Sequence, residues 1–482
     1  YNINIVNVFM EGEHMTQALR NFFSCRSMLK PGQQEGEIPP SREVYRKNLS
    51  IAWPAALEST LIGLIAMVDT IMVGTLGAPA IAAVGITNQP KMVFLALINS
   101  LNVAVTVVVA RRKGEGDQTG AVRCLKQSVL ISTVLSLLLS LAGVAFARPI
   151  LQVAGAGPDI IDDASAYLQI IMAGFLFNTL SMTINAAQRG VGNTKLAMRS
   201  NVAANLVNVL FNYLLINGVG PFPRLEVAGA AVASVLGSMV ALGMAVASLF
   251  HHDGFLSIRM KTSWRFEKAT IFTMSRIAGS AMVEQVFMRI GFFAYAAIVA
   301  GLGTIPFATH QICMNILGII FYVADGFGIA TSSLVGQSLG ARRKDMAMIY
   351  AKVGQRIALV VGLMLSLVCV VLRTPLILMF SREAEVVQMG VFLMLIIAVI
   401  TPFDTCQVVV TGCLRGAGDN LFIALTSLIS IAIVRPGLSW LLCYPLGMGL
   451  VGAWVGVLVD QVLRFLINFI RLSSGKWTEK VV

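Results

Sequence analysis

The chain of 482 residues is strongly apolar, because 56% of its residues are hydrophobic and only 12% are charged. A soluble globular protein carries about 25% charged residues, so this composition excludes a soluble enzyme and a disordered protein and favours a polytopic membrane protein. The formal net charge is +12, but the basic residues are spread between apolar runs, as in cytoplasmic loops. This distribution argues against a nucleic-acid partner.

Cysteine, histidine and glycine patterns exclude several kinds of site. The seven cysteines are scattered, odd in number and form no CxxC pair, so disulfides and a thiolate metal site are not expected. The four histidines form no HExxH motif, and no GxxxxGKS/T loop occurs. The sequence therefore predicts no resident metal, no ATP motor and no other cofactor.

The predicted elements begin after a polar segment, residues 1–45, which we expect to form a mobile cytoplasmic tail. Twelve apolar runs follow, and each is long enough for the roughly 20 residues that cross a bilayer. Their approximate bounds are 48–73, 80–109, 127–147, 163–187, 196–217, 227–250, 276–300, 305–335, 353–372, 386–412, 421–444 and 450–472. The sequence thus predicts an all-α polytopic membrane protein with twelve transmembrane helices.

The loops between these runs alternate in charge. One set is rich in lysine and arginine, around residues 111–123, 189–199, 259–268, 342–352 and 415. The other set carries only Arg148, Arg224, Arg373 and Arg382. Basic loops remain in the cytoplasm, so we expect a multi-pass membrane protein with both termini cytoplasmic.

The two halves of the chain match at a nearly constant offset. Arg189–Asn193 (RGVGN) recurs 226 residues later as Arg415–Asp419 (RGAGD), and Leu76–Gly77 recurs at the same offset as Leu302–Gly303. Six runs in each half give both halves the same orientation, which is typical of parallel-repeat transporters. Two bundles around a cleft favour alternating access over a fixed pore.

We therefore predict two pseudo-symmetric six-helix bundles with defined bounds. The first lobe covers residues 46–252 and the second lobe covers residues 276–472. A cytoplasmic linker over 253–275 joins them, and residues 473–482 form a cytoplasmic tail.

Charged residues inside the apolar runs are candidates for function, because a charge at the bilayer centre costs at least about 2.5–3.5 kcal/mol. The offset of 226 maps Glu58 onto Glu284 and Asn178 onto Asp404, so the second half alone keeps both carboxylates. The charged residues in the runs are Glu58, Asp69, Lys91, Glu284, Arg289, Asp325, Asp404, Arg435 and Asp460.

Glu284 and Asp404 lie at similar predicted depths in the second bundle, roughly 12 and 16 Å from its cytoplasmic end. Two nearby carboxylates repel each other when both are charged, which favours holding a proton or a cation between them. We predict that this pair binds the coupling ion, either Na⁺ or H⁺. In the alternative interpretation, Glu284 is neutralised by Arg289 or another cation and only ties helices together.

The remaining polar residues receive weaker assignments. Asp69 lies near the outer end of the first run and is interpreted either as a coupling residue or as part of a helix terminus. Lys91 is expected to neutralise Asp69 or Glu58, and Arg435 and Asp460 are expected to tie helices together. The other candidates for lining the cleft are Asp325, His310, Gln311 and Gln407.

Four segments in order resemble the multidrug and toxic compound extrusion (MATE) family. They are Val68–Gly74 (VDTIMVG), Ala308–Gln311 (ATHQ), Leu334–Gly340 (LVGQSLG) and Cys413–Asp419 (CLRGAGD). The resemblance covers about residues 45–470. It implies two six-helix lobes and efflux of bulky, often cationic compounds driven by inward Na⁺ or H⁺.

The NorM-like branch of that family carries three carboxylates that match Asp69, Glu284 and Asp404. The resemblance therefore implies an antiporter that functions as a monomer in the lipid bilayer of the plasma (inner) membrane and exports small organic compounds. Lys91, Arg289 and Asp325 are additional charges that this pattern does not explain. The competing hypothesis is a flippase for lipid-linked saccharides, which calls for a cation-lined cleft. An enzyme is not expected, because the loops are short and hold no catalytic set.

Overall fold

The computed structural model describes residues 22–250, 254–259, 264 and 267–480, and this part of the chain is helical and contains no β-strand. The first half forms α1 to α8. Their bounds are α1 Ser41–Gly74, α2 Ala78–Glu115, α3 Gln118–Ala145, α4 Ala147–Val153, α5 Ile161–Ala173, α6 Phe175–Gly190, α7 Thr194–Asn217 and α8 Glu226–Ser248.

The second half repeats this pattern of long and short helices. Its elements are α9 Lys268–Ala300, α10 Thr304–Gly340, α11 Lys344–Val371, α12 Arg373–Leu378, α13 Ala384–Gly416, α14 Asn420–Ser427, α15 Arg435–Cys443 and α16 Gly449–Ser473. A π-helical stretch, Leu428–Val434, joins α14 to α15. Short 3₁₀ turns lie at Arg26–Met28 and Lys476–Glu479.

Ten helical segments of the described chain are long and apolar enough to cross a membrane, and the bent pair α5–α6 makes eleven. The predicted run 196–217 forms α7, a 24-residue helix, but α7 is not among those apolar spans. Its polarity comes from asparagines on a helical spacing, at positions 201, 205, 208 and 212. The predicted fold class, an all-α polytopic membrane protein, is confirmed, and the ten or eleven apolar spans are roughly consistent with the predicted count of twelve.

Large apolar side chains cover the outside of the helices. Leu141 is 70% exposed, Phe293 is 78% exposed and Ile470 is 68% exposed. Such surface is unfavourable in water and favourable against lipid tails. The interior of each half holds small and polar side chains together with large apolar ones, and the small and polar residues suit close helix packing inside a bilayer.

The fourth predicted run is broken at Gly174, where α5 and α6 meet at 47°. A Cβ atom at this position would overlap the side chain of Val235 on α8. The bend and the missing side chain together let the helix pair pack closely against α8.

The chain divides into two compact units, Leu57–Ala278 and a second unit that combines the described residues up to Ala56 with Gly279–Val482. Residues 22–40, which we call the N-terminal strap, pack within the second unit and bury Cys25 and Met28. The strap is therefore more ordered than the mobile tail expected from its polar sequence. Hydrogen bonds between the strap and the start of α11 explain the difference. Glu35 N–H donates to Asp345, whereas Arg343 and Lys344 donate to oxygen atoms of the strap.

Candidate functional site

An ion pair recurs at the same place in each half. Arg189, at the end of α6, donates to Glu58 of α1 over 2.8 Å. Arg415, at the end of α13, donates to Glu284 of α9 over 2.7 Å. Both carboxylates are buried, with Glu58 2% and Glu284 3% exposed. Each pair therefore joins the first helix of its half to the RGxG turn and neutralises a buried charge.

Asp69 lies on the wall of a cavity of about 190 Å³ inside the first half. Side chains from five helices line it, and the polar members include Lys91, Tyr167 and Asn178. Asn212 of α7 donates to Oδ1 of Asp69 over 2.6 Å. Within the described chain, Lys91 forms no ion pair, yet its charge acts on Asp69 across the cavity. The cavity thus presents one negative and one positive group that do not neutralise each other by direct contact.

A stripe of asparagines on α7 organises this part of the first half. Asn201 donates to Glu58 over 2.6 Å, and three turns further along Asn212 donates to Asp69. Asn212 also donates to Asn208, which donates to Ser234 of α8 over 3.1 Å. The sequence analysis missed this stripe, although its spacing of three to four residues was visible and indicates one helix face.

Asp404, in the middle of α13, is 2% exposed. Gln461 of α16 donates to its Oδ1 over 2.7 Å. The other carboxylate oxygen, Oδ2, is buried and accepts no hydrogen bond from the described residues. A buried carboxylate oxygen without a donor is costly while it carries charge.

A cluster of charges surrounds this carboxylate. Asp460 is fully buried and pairs with Arg435, and its Oδ2 lies 3.7 Å from Arg464. Ser430, in the π-helical stretch, also donates to Asp460. Arg464 in turn donates to Gln461. A continuous polar chain therefore runs from Arg435 through Asp460, Arg464 and Gln461 to Asp404, in agreement with the predicted role of Arg435 and Asp460 as ties.

A sequence profile of the MatE family matches residues 54–214 and 280–441, which together make up most of the chain. The chain belongs to the MatE family. The resemblance noted from four short segments is thereby confirmed, and the two matched blocks correspond to the two repeats.

Relatives of the MatE chain are found across bacteria. It is 25% identical over 459 residues to "Probable multidrug resistance protein NorM" of Thermotoga maritima, which covers 95% of this chain and 97% of that protein. It is 26% identical over 445 residues to "Multidrug resistance protein MdtK" of Yersinia pestis, covering 90% of this chain and 96% of that protein.

Solved structures share the fold. The outward-facing conformation of a multidrug resistance MATE family transporter of the MOP superfamily superposes with a TM-score of 0.84 at 20% identity, covering 90% of this chain and 97% of the other. A MOP superfamily transporter from Pyrococcus furiosus gives a TM-score of 0.83 at 20% identity, with the same coverage of both chains.

The MatE fold brings some predicted site residues together and separates others. Asp69, Lys91 and Asn178 share one cavity. Glu284 and Asp404, which were predicted to share one ion, instead have different hydrogen-bond partners. Arg415 donates to Glu284, and Gln461 donates to Asp404. The contacts of Glu284 favour the alternative interpretation, in which another cation neutralises it. That cation is Arg415, because Arg289 is exposed and five residues along α9 from Glu284.

The remaining candidates lie elsewhere in the second half. His310 is buried among Tyr295, Phe307 and Trp454, with ring centroids 5.3, 6.3 and 5.7 Å away. Gln407 is buried and donates to Thr411 of its own helix over 2.9 Å.

Asp325 is partly exposed on α10, and its charge acts on Arg415. Within the described residues, no group of three or more His, Cys, Asp or Glu side chains could hold a metal ion.

Proposed function

We propose that this MatE protein is a secondary antiporter that exports small organic cations in exchange for protons, by alternating access. It functions as a monomer in the plasma membrane, with both termini in the cytoplasm. In this proposal Asp404 is the main proton-binding group and Asp69 is a second carboxylate that binds cationic substrate or a proton. The observation that carries the proposal is the buried Oδ2 of Asp404, which has no hydrogen-bond donor.

The surroundings of Asp404 support reversible protonation. Oδ1 is held by Gln461, so the side chain keeps one orientation in both protonation states. Oδ2 has a free lone pair in a desolvated interior, where a proton removes the cost of an unpaired charge. Arg464 supplies a positive charge on the other side of Gln461, to which it donates a hydrogen bond, and a nearby opposite charge stabilises a carboxylate. The balance of these two effects lets the group gain and lose a proton during a transport cycle.

The same surroundings favour a proton over Na⁺. A bound metal ion needs several oxygen ligands, whereas a proton needs only one lone pair. The side chain that hydrogen-bonds Asp404 presents an amide N–H of Gln461, which is a donor and not a metal ligand. Arg464 also repels any cation that approaches Gln461, to which it donates a hydrogen bond.

Asp69 supports the cationic class of substrate. Its carboxylate faces a cavity lined by the rings of Tyr167 and Phe175 as well as by polar groups. A carboxylate beside aromatic rings in a low-dielectric site attracts an organic cation through charge and through the ring faces. Gain of a proton at one site and release of a cation at the other are then linked by reciprocal coupling.

Glu284 takes a different part in this proposal from the one expected from sequence. Its pairing with Arg415 repeats the pairing of Glu58 with Arg189. A contact shared by both halves ties the first helix of each half to its RGxG turn. We therefore assign proton coupling to Asp404 ahead of Glu284, and the transport experiment below examines both.

The test measures efflux of a fluorescent organic cation from proteoliposomes, with a pH gradient and a Na⁺ gradient imposed separately. We expect the pH gradient to drive transport in the wild-type protein. Asp404→Asn should reduce this transport by at least about fivefold. This factor corresponds to about 1 kcal/mol, the lower end of typical coupling free energies. Asp162→Asn is the matched control, because Asp162 is 78% exposed.

The outcome separates the hypotheses. Undiminished pH-driven transport in Asp404→Asn would remove the proposed coupling role. Transport driven by a Na⁺ gradient and not by a pH gradient would show that the coupling ion is Na⁺ and not a proton. A protein that moves lipid-linked saccharides but no organic cation would support the flippase hypothesis. If Glu284→Gln abolishes coupling while the variant stays as heat-stable as the wild type, the original prediction for Glu284 is restored.

A further inference from the structure

A second cavity lies in the other half of the chain and has no part in the proposed transport mechanism. It has a volume of about 380 Å³ and is enclosed by α11, the end of α16, Cys406 of α13 and Phe22 of the polar N-terminal region. Apolar groups dominate its wall, with Phe465 and Phe469 of α16 on one side. All of these residues belong to one compact unit.

Two basic side chains project from α11 into this apolar surrounding. Lys352 and Arg356 are four residues apart and both line the cavity. Lys352 donates to the carbonyl oxygen of Met28, and the Arg356 guanidinium lies 4.3 Å from the centroid of the Phe22 ring. Lys30 adds its positive charge from the strap side. Positive charge is therefore concentrated at one end of an apolar cavity.

The described residues do not neutralise this positive charge. The residues that line the cavity include no aspartate or glutamate, and among the salt bridges of the described chain neither Lys352 nor Arg356 takes part in one. The Nη1 atom of Arg356 is buried and has no hydrogen-bond partner in the described part of the chain. An arginine donor that is desolvated without an acceptor is costly, so the site is complementary to an anion.

The apolar wall identifies the kind of anion. A free inorganic anion would gain nothing from the apolar side chains of Phe465, Phe469 and Leu359, which line the same cavity as the two cations. Leu359 lines the cavity and is 37% exposed, so part of the apolar wall is accessible from outside the protein. Basic pockets between helices near the membrane surface are typical binding sites for anionic lipid headgroups.

We propose that this cavity binds one anionic phospholipid, with its phosphate on Lys352 and Arg356 and an acyl chain along the phenylalanines of α16. The bound lipid joins α11 to α16 and to the N-terminal strap at the end of the second half that the charge of the loops predicts to be cytoplasmic. The lipid thereby supplies the counter-charge that the described residues do not provide at this position. The site is independent of Asp404 and Asp69.

The experiment uses the full chain, purified in neutral detergent and depleted of lipid. Phosphatidylglycerol, phosphatidylcholine with the same acyl chains, and inorganic phosphate are added in separate titrations, and the Tm is followed. Native mass spectrometry counts the bound lipids. We expect phosphatidylglycerol alone to raise the Tm, in a saturable manner and with one lipid retained.

The decisive variant is Lys352→Gln/Arg356→Gln, which should weaken phosphatidylglycerol binding about tenfold or more, because each basic residue near an anionic headgroup contributes about 1 kcal/mol. The matched control is Lys195→Gln/Arg199→Gln. This pair has the same spacing on α7, but both side chains are exposed. The control should bind phosphatidylglycerol as the wild type does.

If the double glutamine variant does not fold, Lys352→Arg/Arg356→Lys tests the same point, because it keeps both charges and should keep lipid binding. Loss of binding in this charge-preserving variant would overturn the proposal. Equal stabilisation by phosphatidylcholine would also overturn it, as would unchanged phosphatidylglycerol binding in the glutamine variant. Equal stabilisation by inorganic phosphate would identify a phosphate-ion site in place of a lipid site.

Discussion

Arg415 donates a hydrogen bond to Glu284 over 2.7 Å, and the two residues are 131 positions apart. Arg189 and Glu58 are also 131 positions apart and make the same contact over 2.8 Å. The offset of 226 between the repeats therefore relates the ion pair of the first half to the equivalent ion pair of the second half. Both halves keep the same tie between a first helix and an RGxG turn, although their other intramembrane charges differ.

This relationship predicts a stability effect for the ion pair. Glu284→Gln should destabilise the protein by about 3–5 kcal/mol, because it leaves the Arg415 charge without its buried partner. Arg415→Gln should also destabilise it, and the double variant should lose less than the sum of the two. The measurement is a double-mutant cycle on thermal unfolding in detergent.

The control for this cycle is Glu385→Gln, which removes an exposed carboxylate from the start of α13. We expect little change in its unfolding temperature. The same cycle on Glu58 and Arg189 should give a coupling of the same sign. Strict additivity in both halves would contradict the idea of a repeated tie.

The sequence was sufficient to predict the helical spans, the duplication and the equivalence of Glu58 with Glu284. Each of these depends on local apolar periodicity or on a fixed offset, and both are visible along the chain. The assignment of Arg435 and Asp460 to a tie also succeeded, because two opposite charges in neighbouring apolar runs have few other ways to be neutralised.

The partner of Glu284 could not be predicted, because pairing across 131 residues depends on how helices pack. Arg289 was a candidate by proximity in sequence, but it is exposed in the fold. The order of the N-terminal strap was missed for a similar reason. Its polar sequence looks like a tail, and only contacts with distant residues such as Arg343 hold it in place.

A second prediction separates structural from functional carboxylates in the second half. Asp460 neutralises Arg435 and lies near Arg464. The side chain of Arg435 is only 3% exposed, and that of Arg464 is 11% exposed. Asp460→Asn should therefore cost about 3–5 kcal/mol in stability, because two buried arginines lose their shared counter-charge. Thermal unfolding of the purified variant measures this loss.

Asp404→Asn is the comparison for this prediction. Asp404 forms no salt bridge in the described chain, and an amide at this position still accepts a hydrogen bond from Gln461. We expect a much smaller stability loss than in Asp460→Asn, together with loss of pH-driven transport. If Asp460→Asn is more stable than Asp404→Asn, the structural role belongs to Asp404 and not to Asp460.

A third prediction concerns the positive charge in the cavity of Asp69. Removing Lys91 by Lys91→Met should strengthen binding of a small organic cation such as tetramethylammonium by about tenfold. A like charge in the same small cavity costs on the order of 1–2 kcal/mol at an effective dielectric constant near 20. Isothermal titration calorimetry at low ionic strength measures the affinity.

Lys91→Arg and Lys195→Met are the controls for this measurement. The first keeps the charge in the cavity, and the second removes an exposed lysine from α7. Both should bind the cation with wild-type affinity. If Lys91→Met binds the cation no more tightly than these controls do, Lys91 does not set the charge preference of the cavity.

The last prediction concerns the close approach of α10 and α13. Gly412 faces the backbone of Gly328, and a Cβ atom at position 412 would lie 2.9 Å from Gly328 Cα and even closer to its carbonyl oxygen. Backbone atoms cannot move aside without separating the two helices that position Asp404. Gly412→Ala should therefore destabilise the protein by about 1–3 kcal/mol, in the range for overpacked interiors.

Gly318→Ala on α10 is the control, because nothing lies within 4 Å of its added Cβ, and alanine has the higher helix propensity. Thermal unfolding in detergent should rank Gly412→Ala well below both the wild type and Gly318→Ala, and equal stability of the two alanine variants would mean that the helices separate at little cost.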